Sequence, residues 1–234
     1  MVNLVIDIGN TALKAAWADD MTLGRTYRYQ GERILDFIIS LTEEQKPEVM
    51  VLSSIRNFSS KDISVLKERC GRLIYVDKSI SEKYNLPEYL TPDRIAALIA
   101  SRHLFKNKKC SIFDFGAMLT ADFLDEDGKY LGGNISLGCR TRFKSLNRYS
   151  KNIPLLSRQD EVLEKGNDIC SSIYSGVILG MVFELEGYFS RNPENITVFT
   201  GGDAIYFAKR MKNSICVVCN LVLMGLALIA LEYD

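Results

Sequence analysis

The sequence has no excess of charge of either sign. Its 29 lysines and arginines stand against 29 aspartates and glutamates, a formal net charge of +0. A nucleic-acid partner or an anionic membrane surface usually draws a basic excess, so neither is expected. A secretory leader is not expected either: Met1-Val2-Asn3 runs straight into a strand pattern, with no charged stretch ahead of an apolar one. Six scattered cysteines without a leader point to a reducing cytoplasm, not to a disulfide framework. Cys216 and Cys219 form a C-x-x-C, but no second cysteine pair or nearby histidine joins them. A buried strand from Ile215 to Val218 is therefore expected in place of a metal or redox site. The apolar run that continues through Leu231 resembles a membrane span, but Asn220 interrupts it and each flank is shorter than about 18 apolar residues, so it reads as a core strand followed by a core helix, Leu221 to Leu231.

What is present is ordinary globular material. Hydrophobic residues are 47% and charged residues 25% of a 234-residue chain, enough for a sizeable core. That length suits one large domain or two of roughly 100 residues. The first half opens with a short β-branched run, Leu4-Val5-Ile6, that ends in Asp7-Ile8-Gly9-Asn10-Thr11 and re-enters an apolar stretch from Ala12 to Ala18, with Lys14 inside it. This is strand, tight turn, strand. Gly9 permits a sharp bend and a close ligand approach. Asn10, Thr11 and the turn amides can point donors at an anion. Asp7 can hold a hydrated divalent metal and Lys14 adds positive charge.

Further strands are expected at Arg25–Tyr29, Val49–Leu52 and Leu73–Val76, with helices at Glu32–Leu41 and Asp62–Cys70. Residues 77–90 read as polar and irregular, and Pro92 starts a helix running to Phe105. Lys106-Asn107-Lys108-Lys109 is a charged joint and the expected boundary, dividing the chain into halves 1–106 and 107–234. The second half repeats the first. Cys110–Phe113 ends in Asp114-Phe115-Gly116, strands follow at Met118–Leu124 and Tyr130–Ile135, and a helix lies around Arg142–Tyr149. A long helix covers about Asp168–Arg191, then a strand, Ile196–Thr200, closes in Gly201-Gly202 before a helix from Asp203 to Lys212. Two α/β halves of the same order, each with Asp-x-Gly after its first strand, indicate a duplication. Such halves would set two acidic turns across one cleft, a natural home for a metal-nucleotide.

A phosphoryl transfer needs positioning, charge neutralisation and a base for the nucleophile. The opening turn and Gly201-Gly202 supply the first two. Asp93-Arg94, in the first turn of a helix, is the best acceptor site: a carboxylate to take a proton and a guanidinium to grip a carboxylate. Read alone, that pair is also an ordinary helix-start acid beside a surface arginine.

The ordered set of motifs resembles the type III pantothenate kinases of the acetate and sugar kinase/Hsp70/actin superfamily. The matching features are Asp7-x-Gly9-Asn10-Thr11-x-x-Lys14, Tyr84 ahead of Asp93-Arg94 and an alanine-rich helix, Asp114-Phe115-Gly116 with Thr120, Asp122 and Gly128-x-Tyr130-x-Gly132-Gly133-x-Ile135-x-x-Gly138, and Thr200-Gly201-Gly202-Asp203. The resemblance implies an α/β fold of two similar ribonuclease H-like (actin-like) domains, each a mixed sheet flanked by helices, with the active site in the cleft between them. It implies ATP-dependent phosphorylation of pantothenate to 4'-phosphopantothenate, the first step of coenzyme A biosynthesis. Asp93 would be the general base. Tyr84, Thr91, Pro92 and Arg94 would hold pantothenate. The phosphate loop would comprise Asp7, Ile8, Gly9, Asn10, Thr11, Ala12, Leu13 and Lys14, with Ala117, Thr120, Gly201 and Gly202 also at ATP. Asp114 would ligate a monovalent cation, K+ or NH4+, beside Mg2+, and the enzyme would be a homodimer.

Four positions depart from the family pattern. Thr91 stands for a glycine, Ala97 for an asparagine, and Ala117 for the threonine of Asp-x-Gly-Thr. By spacing, Ile169 takes the place of a threonine that contacts pantothenate, while Thr120 survives. Losing a neutral hydrogen bond costs on the order of 1 kcal/mol. Such losses weaken binding without removing base or phosphate loop. They leave two other readings: a nucleotide- or pantothenate-binding regulator that has lost catalysis, and a kinase for another small hydroxy acid.

Overall fold

Residues 2–233 are described by the computed structural model, so Met1 and Asp234, at the outer limits of the two expected halves, lie outside it. In the first part of the chain β1 (Val2–Ile8), β2 (Leu13–Asp19) and β3 (Thr22–Tyr29) form an antiparallel meander. Then come α1 (Ile34–Leu41), β4 (Val49–Ser54), α2 (Ser60–Glu68) and β5 (Arg72–Tyr75). The sheet order is β3-β2-β1-β4-β5, with β4 parallel to both β1 and β5. Central β1 is covered on both faces, and Leu4, Val5 and Ile6 are all 0% exposed. A doubly covered strand reads as a continuous apolar run, which is why it stands out in the sequence.

Helix α2 and the segment after β5 differ from expectation. A capping box fixes α2: the Asp62 N–H donates to Ser59 Oγ and the Ser59 N–H to the Asp62 carboxylate, so the helix begins at Ser60. Within the stretch expected to be irregular lies α3 (Lys78–Lys83), started by the Asp77 side chain accepting from the Ser79 N–H. Six residues are too few to show a helical period. Pro92 opens α4 (Pro92–Leu104) as expected.

The second sheet repeats the first. β6 (Cys110–Phe115), β7 (Met118–Leu124) and β8 (Tyr130–Leu137) form the meander; α5 (Cys139–Tyr149), α6 (Ile169–Arg191), β9 (Ile196–Gly201), α7 (Ala204–Ala208) and β10 (Cys216–Val217) follow. Its order, β8-β7-β6-β9-β10, is the first sheet's order with β6 in the place of β1 and β9 parallel to it in the place of β4. The expected duplication of two mixed α/β sheets is thus present strand for strand. The core of this unit is aromatic: Phe113, Phe143, Phe199 and Phe207 are essentially unexposed. Among the described residues α6 alone is long and apolar enough to cross a membrane. One of its sides, with Ile178, Met181 and Leu185, is part of this core.

The C-x-x-C stretch corrects the sequence reading. β10 is two residues long, and Cys216, Val217 and Cys219 are exposed. It pairs with β9 on one side only, so it is an edge strand and lacks the cover that a buried strand needs. Helix α7 is also shorter than expected, ending at Ala208.

The last helix, α8 (Leu221–Leu231), crosses back. Chain contacts group the residues up to Leu104 with those from Asn220 on, and Phe105–Cys219 separately. The expected second half, 107–234, is therefore not one unit. The cause is the α4–α8 contact. A Cβ on Gly225 would overlap the Ala96 carbonyl group, so the two helices meet backbone to backbone. Alanine-rich α4 is buried from Arg94 through Ser101 for the same reason. Gly225→Ala is expected to cost about 2 kcal/mol by overpacking. Thermal unfolding should show a Tm lower by roughly 4–8 °C for a chain of this size.

Candidate active site

In the first unit the site is built on β1. Asp7 lies opposite Lys14 in the antiparallel ladder and opposite Ser53 in the parallel one. Ser53 Oγ donates to Asp7 Oδ1 at 2.8 Å. Ser53 is absent from the sequence-based candidates, because β4 was expected to stop at Leu52. Only the parallel register brings it beside Asp7.

The turn closes on itself, with the Gly9 N–H donating to the Ala12 carbonyl at 3.1 Å. That amide is thereby occupied, and Asn10 and Thr11 are the exposed tip. Ile8 and Leu13 are each 1% exposed, so their side chains are core and only their backbones border the loop.

α4 carries the second group. The Thr91 carbonyl accepts from the Ile95 N–H at 3.0 Å and Pro92 occupies the first turn. Asp93 is half-buried, and its Oδ1 accepts from the Arg94 N–H at 2.9 Å. Arg94 is only 5% exposed. From the far end of the helix, Arg102 donates to the Tyr84 carbonyl at 2.7 Å and so ties the end of α3 to α4. The Tyr84 hydroxyl donates to Glu232 Oε1 at 2.6 Å. Burial, then this bond to a carboxylate, pushes the phenol well above its ordinary value. Glu232 also pairs with Lys83. Burial alone would raise the Glu232 carboxyl, but Lys83 and Tyr84 outweigh it and the net shift is downward.

The second unit holds the counterpart of Asp7. Asp114 lies opposite Thr120 in β7 and Thr200 in β9, the register positions that Lys14 and Ser53 hold around Asp7. The duplicated frame thus carries a lysine on one side and a threonine on the other. Its turn is closed by the Gly116 N–H donating to the Met118 carbonyl at 3.0 Å. Ala117 lacks a hydroxyl, yet its carbonyl accepts from Thr141 Oγ1 at 2.6 Å and from the Gly138 N–H at 3.0 Å. Thr141, on α5, therefore sets a hydroxyl beside the turn where the sequence pattern shows a loss.

Gly201 has φ +91°, and a Cβ there would overlap Asp114 Oδ1 and the Phe115 backbone. The Gly202 N–H donates to the Phe115 carbonyl at 2.9 Å. Asp114, Thr120, Gly201 and Gly202 are thereby gathered at one sheet end, next to the Ala117 turn. Asp203 pairs with Arg158; burial nevertheless pushes its carboxyl up. Ile169 stands apart as the exposed first residue of α6, an element that carries none of the other candidates.

Comparison with known proteins follows the same lines. Residues 3–191 match the family model described as type III pantothenate kinase. The type III pantothenate kinase of Azobacteroides pseudotrichonymphae is 33% identical over 230 residues, covering 95% of this chain and 94% of its own. That of Phocaeicola vulgatus is 34% identical over 233 residues, covering 96% of each. Among solved structures, a Campylobacter jejuni protein named for the Baf family of transcriptional activators superposes with a TM-score of 0.67 at 19% identity, covering 98% of both chains. A ROK hexokinase from Thermus thermophilus does so with a TM-score of 0.56 at 13% identity, covering 100% of both. Likeness at these identities shows the fold alone.

Proposed function

This chain belongs to the type III pantothenate kinase family, and on that premise we propose that it transfers the terminal phosphoryl group of ATP to the primary hydroxyl of pantothenate, giving 4'-phosphopantothenate for coenzyme A biosynthesis. The observation that carries the reading is the duplicated acid position. Each unit sets an acid at the same register position, Asp7 between Lys14 and Ser53 in the first and Asp114 between Thr120 and Thr200 in the second, a position that suits a phosphate or its cation.

In this reading the roles are those that the family resemblance implies. Asp93 accepts the proton of the attacking hydroxyl. Arg94 and Tyr84 hold the acceptor, beside Thr91 and Pro92. Lys14 and the Asn10-Thr11 tip contact phosphate oxygens, while Gly201 and Gly202 let the backbone approach the nucleotide. Asp7 and Ser53 present a carboxylate and a hydroxyl, the hard oxygen donors that suit Mg2+. Among the described residues no cluster of three or more metal-ligating side chains occurs. That fits an ion held by one carboxylate together with water and phosphate. Asp7 and Ser53 would hold Mg2+, which when bound would supply neutralisation of the phosphate charge. Asp114, with Thr120 and Thr200 opposite it, offers only oxygen ligands and suits K+ or NH4+.

The enzyme acts as a cytoplasmic homodimer in this reading, without a nucleic-acid or membrane partner. Large apolar side chains left exposed on the second unit support the dimer. Leu131 and Ile135 of β8, Tyr149 of α5 and Phe183 of α6 are all more than half exposed. A cavity of about 640 Å³ opens between α5 and α6, lined by Leu146, Tyr149, Ile173 and Val177. Nothing in the fold or the relatives favours a regulator without catalysis.

The test is a coupled ADP-release assay with pantothenate, ATP and Mg2+, in K+ or in Na+. Turnover in K+ and much less in Na+ is expected. Absence of turnover above background in K+ would sink the reading.

A further inference from the structure

Glu232 lies beyond the residues matched by the family model, which end at 191. It nonetheless reaches the acceptor group within its own unit. We propose that Glu232 is a positioning residue that fixes the direction of the Tyr84 hydrogen bond, so that Tyr84 meets the substrate as a hydrogen-bond acceptor and reads a hydroxyl or amide N–H on it, not its carboxylate. This rests on the pantothenate kinase reading and on the place of Tyr84 in the acceptor site.

A phenol has one proton to give and lone pairs to receive. The Tyr84 O–H donates to Glu232 Oε1 at an O···O distance of 2.6 Å, the short distance of a bond to an ionised carboxylate. Glu232 is held from its other oxygen by Lys83. Lys83 in turn sits 4.4 Å from the ring centre of Tyr233, and Arg72 sits 4.7 Å from it, so the neighbouring residue is gripped by two cations.

Tyr84 is fixed at its backbone too, where Arg102 donates to its carbonyl at 2.7 Å. Both clamps run to the helices around Asp93: Arg102 lies on α4 itself, and Glu232 follows α8, which packs on α4 through Gly225. A phenol whose one O–H is already donated in a hydrogen bond presents only lone pairs, which repel a carboxylate and attract an O–H or N–H. Pantothenate offers hydroxyls and an amide N–H as well as a carboxylate. The carboxylate is then left to Arg94, and the two residues read different ends of one substrate.

The experiment is steady-state kinetics on Tyr84→Phe, Glu232→Ala, Glu232→Gln and the double variant Tyr84→Phe/Glu232→Ala, each checked for an unchanged fold by thermal unfolding. Tyr84→Phe and Glu232→Ala are each expected to raise the pantothenate KM about tenfold, the effect of one lost hydrogen bond, with kcat and the ATP KM within about twofold of the parent. Glu232→Gln keeps a carbonyl that accepts from the phenol and should stay within about threefold. The double variant should be no worse than Tyr84→Phe alone, because the two side chains act as one unit.

With pantothenate methyl ester, whose carboxylate charge is gone, the Tyr84→Phe penalty should persist. Its disappearance with the ester would show that Tyr84 reads the carboxylate and would overturn the inference. So would a Glu232→Ala variant with an unchanged KM, or penalties that multiply in the double variant. No turnover by the parent chain is a different result. It would mean that the kinase reading itself has failed, and this inference with it.

Discussion

Asp93→Asn is expected to lower kcat by about 10³-fold, within the range that a positioned general base contributes. The substitution is nearly isosteric. Its amide oxygen can still accept from the Arg94 N–H, as Asp93 Oδ1 does at 2.9 Å, so the first turn of α4 keeps its local hydrogen bond. What disappears is the ability to take a proton from an alcohol. Some stability goes as well, since a carboxylate at a helix N-terminus is worth about 0.3–1 kcal/mol against the dipole. That shift is small beside the kinetic effect, and thermal unfolding separates the two. Nucleotide affinity should stay within about twofold of the parent, because Asp7, Lys14 and Ser53 stand on β1, β2 and β4, not on α4. Single-turnover phosphorylation and ATP-analogue binding, measured on the same preparation, read the two quantities apart. A variant that keeps more than a tenth of the parent kcat would remove Asp93 from the role of base.

How much of this arrangement was legible in the sequence depends on the range of the forces involved. The central strands were readable, because burial on both faces makes Leu4-Val5-Ile6 and Cys110–Phe113 continuous apolar runs. The Asp-x-Gly ends were readable too, since a tight turn demands particular residues. The order of elements therefore came through, and with it the duplication. Parallel pairing leaves no local trace. Ser53 belongs beside Asp7 only because β4 returns from 46 residues away in a fixed register. Thr141 was missed for a similar reason, its hydroxyl reaching the Ala117 carbonyl from a different element.

Helix α8 illustrates the opposite error. Its apolar run was correctly a core helix, but a run without a polar face says nothing of which core it joins. Gly225 against Ala96 decides that, and a lone glycine in an apolar helix reads as a weakness, not as a contact. The exposed Cys216 and Cys219 show the limit of composition. An apolar strand is buried only where something covers it, and β10 ends the sheet.

Gly201→Ala should be the most damaging single-methyl change in the second unit. Gly201 holds φ +91°, a conformation that an alanine adopts only under strain, at a cost of roughly 1 kcal/mol or more. The new Cβ would also meet the Phe115 backbone and Asp114 Oδ1. The Phe115 backbone cannot step aside, because β6 is locked between β7 and β9. Asp114 is the group that can move, and it is the proposed cation ligand. Overpacking adds about 1–3 kcal/mol to the backbone term. A total near 3 kcal/mol corresponds to a Tm lower by roughly 6–12 °C in a chain of this size. At a temperature where the variant is still folded, turnover should be low and indifferent to K+ against Na+. Asp114→Ala is the companion: it removes the carboxylate with no clash, so it should lose the same potassium response with a smaller fall in Tm than Gly201→Ala. The pair separates the two jobs proposed for this corner, since glycine keeps the ends of β6 and β9 in contact and the acid is the proposed ion ligand. A Gly201→Ala protein with an unchanged Tm and an intact potassium response would show that the close approach of β9 to Asp114 is not what sets the proposed cation site.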